Sequence, residues 1–242
     1  MESLRSGIES LYELSMDNGR RWASLKLLYV TDIHESKGAL NWLLKFATNS
    51  YYAIVVGGDI TTEARMPFLE EFLDSVRKIR GRIFLVQGNH DPREMTVPTG
   101  VTLLHGRKLV LGEFTIGGLG GSNFTSRGAP FEYADEHARS LLDALGPVDV
   151  LVSHCPPYGT RCDLAPDGKN YGSVPVREYV ESRRPKLVLC GHVHVARAVD
   201  KVGEATVVNP GPLVEGNYAV VEVLKDKFTV ELGQETRLVQ ST

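Results

Sequence analysis

Five apolar runs in this sequence each end in Asp, Asn or His. "LLYVTDIH", "AIVVGGD", "IFLVQGNHD", "VDVLVSH" and "LVLCGHVH" share this pattern. The polar residues that close them are, in chain order, Asp32, His34, Asp59, Asn89, His90, His154, His192 and His194. A turn alone needs little more than a glycine and an asparagine. Because ligands of open α/β sheets bind at the carboxyl ends of the strands, these residues predict one shared site.

Helix-like segments separate the apolar runs. The runs cover residues 25–31, 52–56, 83–86, 148–152 and 186–190, and helical patterns cover 37–50, 66–79, 132–145 and 174–182. Apolar runs separated by helices indicate parallel strands in βαβ units. Residues 101–121 and 205–233 are instead typical of short strands in hairpins. The sequence therefore predicts an α/β fold, and without a low-complexity linker residues 25–242 are expected to form one domain.

Composition limits the partners of the protein. Of 242 residues, 42% are hydrophobic and 24% are charged, which is enough to build a core. The net charge of −3 offers no basic surface for nucleic acid, so nucleic acid is not an expected partner. The sequence has no apolar window of about 18 residues, which argues against a membrane span. Three cysteines are too few for a disulfide framework, so a reducing, cytoplasmic location is expected.

Residues 1–24 are expected to form a helical extension ahead of the domain. Leu4, Ile8, Leu11 and Leu14 recur at helical spacing. The segment lacks the apolar core of a signal peptide. Packing on the domain is the simpler interpretation, and contact with a second copy in a homo-oligomer is the alternative.

The residue types at the strand ends favour a metal centre. Asp, Asn and neutral His are ligands of intermediate hardness and suit Mn, Fe, Ni, Zn or Co. A structural zinc site is disfavoured because no set of thiolates accompanies them. Two carboxylates, one amide and four histidines exceed what one ion needs. Two divalent metal ions sharing a carboxylate, roughly 3.5–4 Å apart, fit this number of ligands.

The complete pattern resembles the signature of the calcineurin-like metallophosphoesterases, in particular their small single-domain bacterial and archaeal members. The motifs that carry the resemblance span residues 32–194 and are Asp32-x-His34, Gly58-Asp59, Gly88-Asn89-His90-Asp91, His154 and Gly191-His192-x-His194. The resemblance implies an α/β fold, a four-layer α-β-β-α sandwich with two mixed sheets flanked by helices. The hairpins would belong to the second sheet.

The resemblance also assigns roles to the residues. Asp32, His34, Asp59 and His194 would hold one metal. Asp59, Asn89, His154 and His192 would hold the other, with Asp59 as the bridge. His90 would not bind metal and would face the substrate. The family activity implied is hydrolysis of a phosphodiester or phosphomonoester.

For the mechanism, we expect a metal-bridging hydroxide to attack phosphorus in line, with His90 as general acid. An amide at Asn89 adds no negative charge, whereas aspartate there would weaken the attraction for phosphate. The Asn89 amide can bind a metal through its oxygen and donate to phosphate through its NH₂ group. Asp91 is expected to orient the His90 ring; a helix N-cap is the alternative.

Two alternatives to a small-molecule phosphoesterase are a catalytically silent scaffold with the same fold and a nuclease. The first would lack ligands or the acid, and here every position is filled. The second usually carries additional DNA-binding parts. The expected partner is thus a small phosphate ester.

Several further residues receive minor predictions. The loop 156–173 follows His154, and its side chains are candidates for contacts to the leaving group. These candidates are Tyr158, Arg161, Lys169 and Tyr171. The glycine-rich segment 117–122 is predicted to be a tight connection rather than a phosphate loop. His105 and His137 are expected at the surface, and Cys155 and Cys190 in the core.

Overall fold

The computed structural model of this protein describes residues 25–47, 51–125, 128–224 and 227–239. The predicted extension over residues 1–24 lies outside these residues, and the single-domain assignment stays a prediction. The strands are β1 Leu25–Val30, β2 Ala53–Val56, β3 Arg82–Leu85, β4 Val101–Leu103, β5 Lys108–Leu111, β6 Phe114–Leu119, β7 Ser122–Asn123, β8 Glu132–Tyr133, β9 Val150–Ser153, β10 Leu187–Leu189, β11 Ala198–Val202, β12 Ala205–Asn209, β13 Asn217–Leu224 and β14 Lys227–Gln234. The helices are α1 Lys37–Phe46, α2 Met66–Val76, α3 Asp135–Leu145, α4 Val174–Arg183 and α5 Thr236–Val239, with a 3₁₀ turn at Leu213–Glu215.

Two six-stranded mixed sheets form the centre of the fold. The first sheet has the order β14-β13-β1-β2-β3-β4, in which β1 to β4 are parallel and β13 and β14 are antiparallel additions. The second sheet has the order β11-β12-β10-β9-β6-β5, with a parallel centre and an antiparallel strand at each edge. A short parallel pair, β7 and β8, lies outside both sheets.

Three apolar clusters divide the structure into four layers. Side chains of both sheets, such as Tyr29, Phe84 and Val152, form the cluster between the sheets. The outer face of the first sheet packs on α1 and α2, and that of the second sheet on α3 and α4. Burial of such side chains stabilises a fold by about 1.5–3 kcal/mol each. The predicted α/β four-layer sandwich is therefore confirmed.

The assignment of strands to sheets differs from the sequence-based expectation in two places. The β13–β14 hairpin extends the first sheet and not the second, because β13 pairs with the free edge of β1. Residues 101–103 form no hairpin with the strand that follows them. They continue the first sheet by parallel pairing with β3. Both differences cover strand edges that would otherwise expose unpaired backbone groups.

Local signals explain where the helices begin. The Ser36 hydroxyl accepts a hydrogen bond from the Ala39 N–H at the start of α1, and Ser173 does the same for Val176 in α4. Pro67 and Pro175 stand in the first turns of α2 and α4, where proline costs no hydrogen bond. Among the described residues, no helix has the length and apolar character that crossing a membrane requires.

Candidate metal centre

The predicted site residues follow the carboxyl ends of strands from both sheets. Asp32, Asp59 and Asn89 follow β1, β2 and β3 of the first sheet, and His154 and His192 follow β9 and β10 of the second. Backbone hydrogen bonds join these ends within each sheet: the Asp32 N–H donates to Gly58, and the Gly191 N–H donates to His154. The site therefore lies at the junction of the two sheets and not at the edge of one.

Asp32, His34 and His194 form one group of potential ligands. The Nε2 atom of His194 lies 3.3 Å from Asp32 Oδ1, and the Nε2 atom of His34 lies 3.9 Å from the same oxygen. The two Nε2 atoms are 3.0 Å apart. Three ligand atoms thus converge at a point near the entrance of the site.

A second group lies deeper. The Oδ1 atom of Asn89 is 3.0 Å from His154 Nε2 and 2.8 Å from His192 Nδ1. His154 is fully buried, and its other ring nitrogen contacts the carbonyl oxygen of Gly57 at 2.8 Å. This second contact orients the ring so that Nε2 faces the site.

Asp59 lies between the two groups. Its Oδ2 atom is 3.8 Å from His34 Nε2 and 3.5 Å from His154 Nε2. Its Oδ1 atom accepts a hydrogen bond from the His90 backbone N–H at 2.8 Å. Asp59 can therefore reach both groups through one oxygen while the other oxygen holds its orientation.

The donors fit a cation. Asp32 Oδ1 is buried and has no hydrogen-bond partner among the described residues. A buried anionic oxygen without a donor is costly, and a cation beside it removes that cost. Carboxylate, amide and imidazole donors suit a divalent transition metal. The residues present therefore fit the group that the strand ends predict.

The backbone is strained at four of these residues. Asp32, His34, Asp59 and His192 have φ values of 55°, 46°, 49° and 67°. Residues other than glycine seldom adopt this left-handed region, and such strain is characteristic of functional sites. The sequence carries no direct signal of it.

Two glycines allow the loops to approach one another. A Cβ at Gly88 would overlap the Asp59 carboxylate, and a Cβ at Gly191 would overlap Thr31 and the Asp32 carboxylate. The glycines of the Gly-Asn-His and Gly-His-x-His motifs therefore serve close packing of the ligand loops.

Burial and neighbouring charge shift the pKa values of Asp59 and His154 in opposite directions. Burial raises the pKa of Asp59, but the nearby His154 charge outweighs it and holds the pKa below its ordinary value. For His154, burial lowers the pKa, yet the Asp59 carboxylate raises it to about 9. For His192, burial and the charge of His154 lower the pKa to about 4, which leaves the imidazole neutral and able to bind a metal.

Asp91 does not have the predicted contact with the His90 ring. Its carboxylate accepts hydrogen bonds from the backbone N–H groups of Gly88 at 2.8 Å, Thr61 at 2.8 Å and Ile60 at 3.2 Å. The Thr61 hydroxyl donates to it at 3.0 Å. The prediction that Asp91 orients the His90 ring is wrong. Asp91 instead ties the loop after β2 to the loop after β3.

Thr61 is a site residue that sequence reasoning missed. Its hydroxyl also contacts the His90 carbonyl oxygen at 2.9 Å. Its position two residues after Asp59 was the only available signal. The Thr61 hydroxyl contacts the Asp91 carboxyl, whose pKa is raised to about 6 by burial and, to a smaller extent, by the charge of Asp59.

His90 lies at the edge of the candidate centre. Its ring centroid is 5.7 Å from that of His34, and its Nδ1 atom is buried without a hydrogen-bond partner among the described residues. The ring therefore lies beside the ligand group that contains His34.

The remaining predictions have mixed outcomes. Cys155 and Cys190 are buried free thiols, as predicted. The predicted tight connection is limited to residues 120–121, because the rest of the glycine-rich segment belongs to β6 and β7. His137 is exposed, as predicted, whereas His105 is half-buried. Its Nδ1 atom accepts the Gly120 N–H at 2.9 Å, and burial lowers its pKa to about 4.

A family comparison identifies the relatives of this arrangement. Residues 101–234, which include His154, His192 and His194, match the model of a metallophosphoesterase family of the calcineurin superfamily. The chain belongs to this superfamily. Its members typically bind divalent metals. The resemblance found in the sequence is thus confirmed at the level of the superfamily.

Individual relatives are similar to this chain in sequence or in fold. An uncharacterized protein of Methanocaldococcus jannaschii is 30% identical over 216 residues, which are 86% of this metallophosphoesterase and 96% of the relative. One crystal structure is similar with a TM-score of 0.70 and 23% identity, covering 87% of this chain and 99% of that chain. A protein of Thermus thermophilus has a TM-score of 0.65 and 19% identity, with coverages of 87% and 98%. The phosphopantetheinyl hydrolase of Mycobacterium tuberculosis has a TM-score of 0.56 and 17% identity, with coverages of 78% and 90%.

Proposed function

We propose that this metallophosphoesterase hydrolyses a small phosphodiester or phosphomonoester with the help of two divalent cations. The observation that carries the proposal is the position of Asp59, whose Oδ2 atom lies within 4 Å of a histidine from each ligand group. One carboxylate between two ligand groups is the arrangement that a pair of bridged cations requires.

Each cation would have four protein ligands. Asp32, His34, Asp59 and His194 would hold the cation near the entrance, and Asp59, Asn89, His154 and His192 would hold the deeper one. When bound, the cations supply Lewis-acid activation of water and neutralise the phosphate. Mn, Fe, Ni, Zn and Co all suit these donors.

Asn89 keeps the centre positive. Its amide oxygen faces His154 and His192, where an aspartate would add a negative charge. With only two carboxylates among the ligands, the loaded centre attracts a phosphate anion. The NH₂ group of the same amide can donate a hydrogen bond to a phosphate oxygen.

His90 would donate a proton to the leaving oxygen. The Asp59 carboxylate accepts from the His90 backbone N–H, and the Thr61 hydroxyl donates to the His90 carbonyl oxygen, so the backbone that carries the ring is held beside the ligands. General acids of this kind accelerate reactions by about 10²–10⁴-fold.

The buried free thiols Cys155, Cys162 and Cys190 support a reducing location such as the cytoplasm.

The test is hydrolysis by the full chain after chelation and reloading with Mn²⁺, Ni²⁺ or Mg²⁺. Bis-p-nitrophenyl phosphate reports a diesterase and p-nitrophenyl phosphate a monoesterase. We expect turnover with at least one cation and none in the chelated protein. Binding of two cations without turnover of either ester would contradict the proposal and favour the catalytically silent scaffold.

A further inference from the structure

Several exposed apolar side chains occur in the segments of chain that adjoin the polar candidate centre. Phe124 is 66% exposed and Tyr171 is 46% exposed. Tyr158, Leu164 and Val174, on and just after the loop 156–173, are also exposed, as is Val195, which follows the ligand candidate His194. Large apolar side chains rarely gather on a surface without a binding role.

Cys155 connects two of these side chains to the centre. It follows His154 directly, and its thiol donates to Asn123 Oδ1 at 3.3 Å and lies 3.7 Å from the Tyr171 carbonyl oxygen. Phe124 is the next residue after Asn123. Phe124 therefore directly follows a residue that contacts Cys155, and Tyr171 contacts Cys155 through its own carbonyl oxygen.

The segment that carries Phe124 also contacts the backbone of Asn89. The Phe131 N–H donates to the Asn89 carbonyl oxygen at 2.9 Å. Phe124 thus belongs to a stretch of chain whose two ends touch residues at or beside the ligand candidates Asn89 and His154.

The loop 156–173 holds Tyr171 in a fixed position. The fully buried Asp163 carboxylate accepts hydrogen bonds from the loop itself, namely from Thr160 N at 2.7 Å, Asn170 Nδ2 at 2.8 Å and Gly172 N at 3.0 Å. The Tyr171 hydroxyl donates to Asp167 Oδ2 at 2.9 Å. The ring is therefore held at its hydroxyl end while its apolar face stays accessible.

We propose that Phe124 and Tyr171 form a subsite for a planar aromatic group on the phosphate ester. This inference rests on the proposed function, since the phosphate would occupy the candidate metal centre. Two exposed aromatic rings, one of them held by hydrogen bonds, favour a flat partner because aromatic rings stack in defined offset or edge-to-face arrangements. A simple aryl group and a nucleobase both have this chemistry.

Calorimetry on the full chain loaded with Mn²⁺ tests the subsite without turnover. Phenylphosphonate and methylphosphonate carry the same anionic group and differ in the aromatic ring. We expect phenylphosphonate to bind about tenfold more tightly, as one stacked pair would give. A nucleoside 5′-phosphonate, measured in parallel, separates a nucleobase from a phenyl group: tighter binding than phenylphosphonate indicates the nucleobase.

Three variants test whether Phe124 and Tyr171 cause the preference for phenylphosphonate. In Phe124→Ala and in Tyr171→Ala, the affinities for the two phosphonates should differ by no more than about twofold. Tyr171→Phe loses only the contact with Asp167 and should retain most of the preference for phenylphosphonate. Val110→Ala removes a similarly exposed apolar side chain from β5 and is the control that should change nothing. Equal binding of the two phosphonates to the unmodified chain overturns the inference and leaves the proposed function intact. Binding of neither contradicts both.

Discussion

The Nε2 atoms of His34 and His194 lie 3.0 Å apart although 160 positions separate the two residues in sequence. His34 follows β1 in the first sheet, and His194 follows β10 in the second. Both atoms face the Asp32 carboxylate, whose Oδ1 has no hydrogen-bond donor among the described residues. A cation at this point would hold the two sheets together.

Metal removal should therefore lower the stability of the fold. A ligand that binds only the folded state at 100 times its Kd stabilises it by about 2.7 kcal/mol. We expect a higher Tm with Mn²⁺ than with chelator in thermal unfolding followed by circular dichroism. A double variant, His34→Ala with His194→Ala, should lose most of that difference. An undiminished difference in the double variant would contradict a cation between these histidines.

Asp59→Asn should abolish binding of the cation pair. The amide lacks the negative charge that two cations would share, and its NH₂ group either replaces the bridging oxygen or faces the His90 backbone N–H. Metal content measured by atomic emission should fall from two equivalents to one or none, and hydrolysis should cease. Two tightly bound equivalents in this variant would rule out Asp59 as the bridge.

His90→Asn should separate chemistry from metal binding. The side chain loses its proton donor, but the backbone N–H that holds Asp59 remains. We expect kcat to fall by about 10²–10⁴-fold with both cations retained. The decrease should be smaller for p-nitrophenyl esters than for alkyl esters, because a good leaving group needs less protonation. Loss of metal together with activity would show that His90 is a ligand.

Asp91→Asn should lower both the stability of the fold and its metal affinity, although Asp91 is not a ligand candidate. The carboxylate accepts from the backbone of both ligand loops, and an amide would place its NH₂ group against N–H donors. We expect a loss of roughly 1–3 kcal/mol in the free energy of unfolding. Metal affinity should fall about 10–100-fold, as for other residues that orient ligands. Thr61→Val removes only the hydroxyl contacts and should have a smaller effect. Equal metal affinity in Asp91→Asn and the parent protein would refute the linking role.

His105, which is not a metal-ligand candidate, should make the stability of the fold depend on pH. Its pKa is about 4 in the folded state and 6.5 ordinarily, because burial penalises the charged ring. Between these values the unfolded chain binds a proton that the folded chain does not. Stability is therefore full above pH 6.5 and is lost as the pH falls toward 4, by up to about 3 kcal/mol.

His105→Asn tests this dependence. The asparagine oxygen can replace Nδ1 as acceptor for the Gly120 N–H, yet it does not titrate. Urea unfolding at several pH values should give a flatter slope across this window than the parent protein shows. An unchanged slope would assign the acid sensitivity to other groups.

The sequence by itself determined the elements and the chemistry of the site. Apolar runs that end in Asp, Asn or His are local patterns, and so are the helix starts at Ser36 and Ser173. From these patterns the α/β class and the residues that come together could be predicted, since strand ends and side-chain chemistry depend on a few neighbouring residues.

Tertiary structure alone decided which sheet each strand joins and how the loops contact one another. No local pattern shows that β13 covers the edge of β1, or that β9 and β10 belong to a different sheet from β1 to β3. The same holds for the carboxylate of Asp91, which accepts from the backbone N–H groups of Ile60 and Thr61, 31 and 30 positions away. Such pairings depend on which edges and buried polar groups remain unsatisfied after the layers pack, and that is a property of the whole fold.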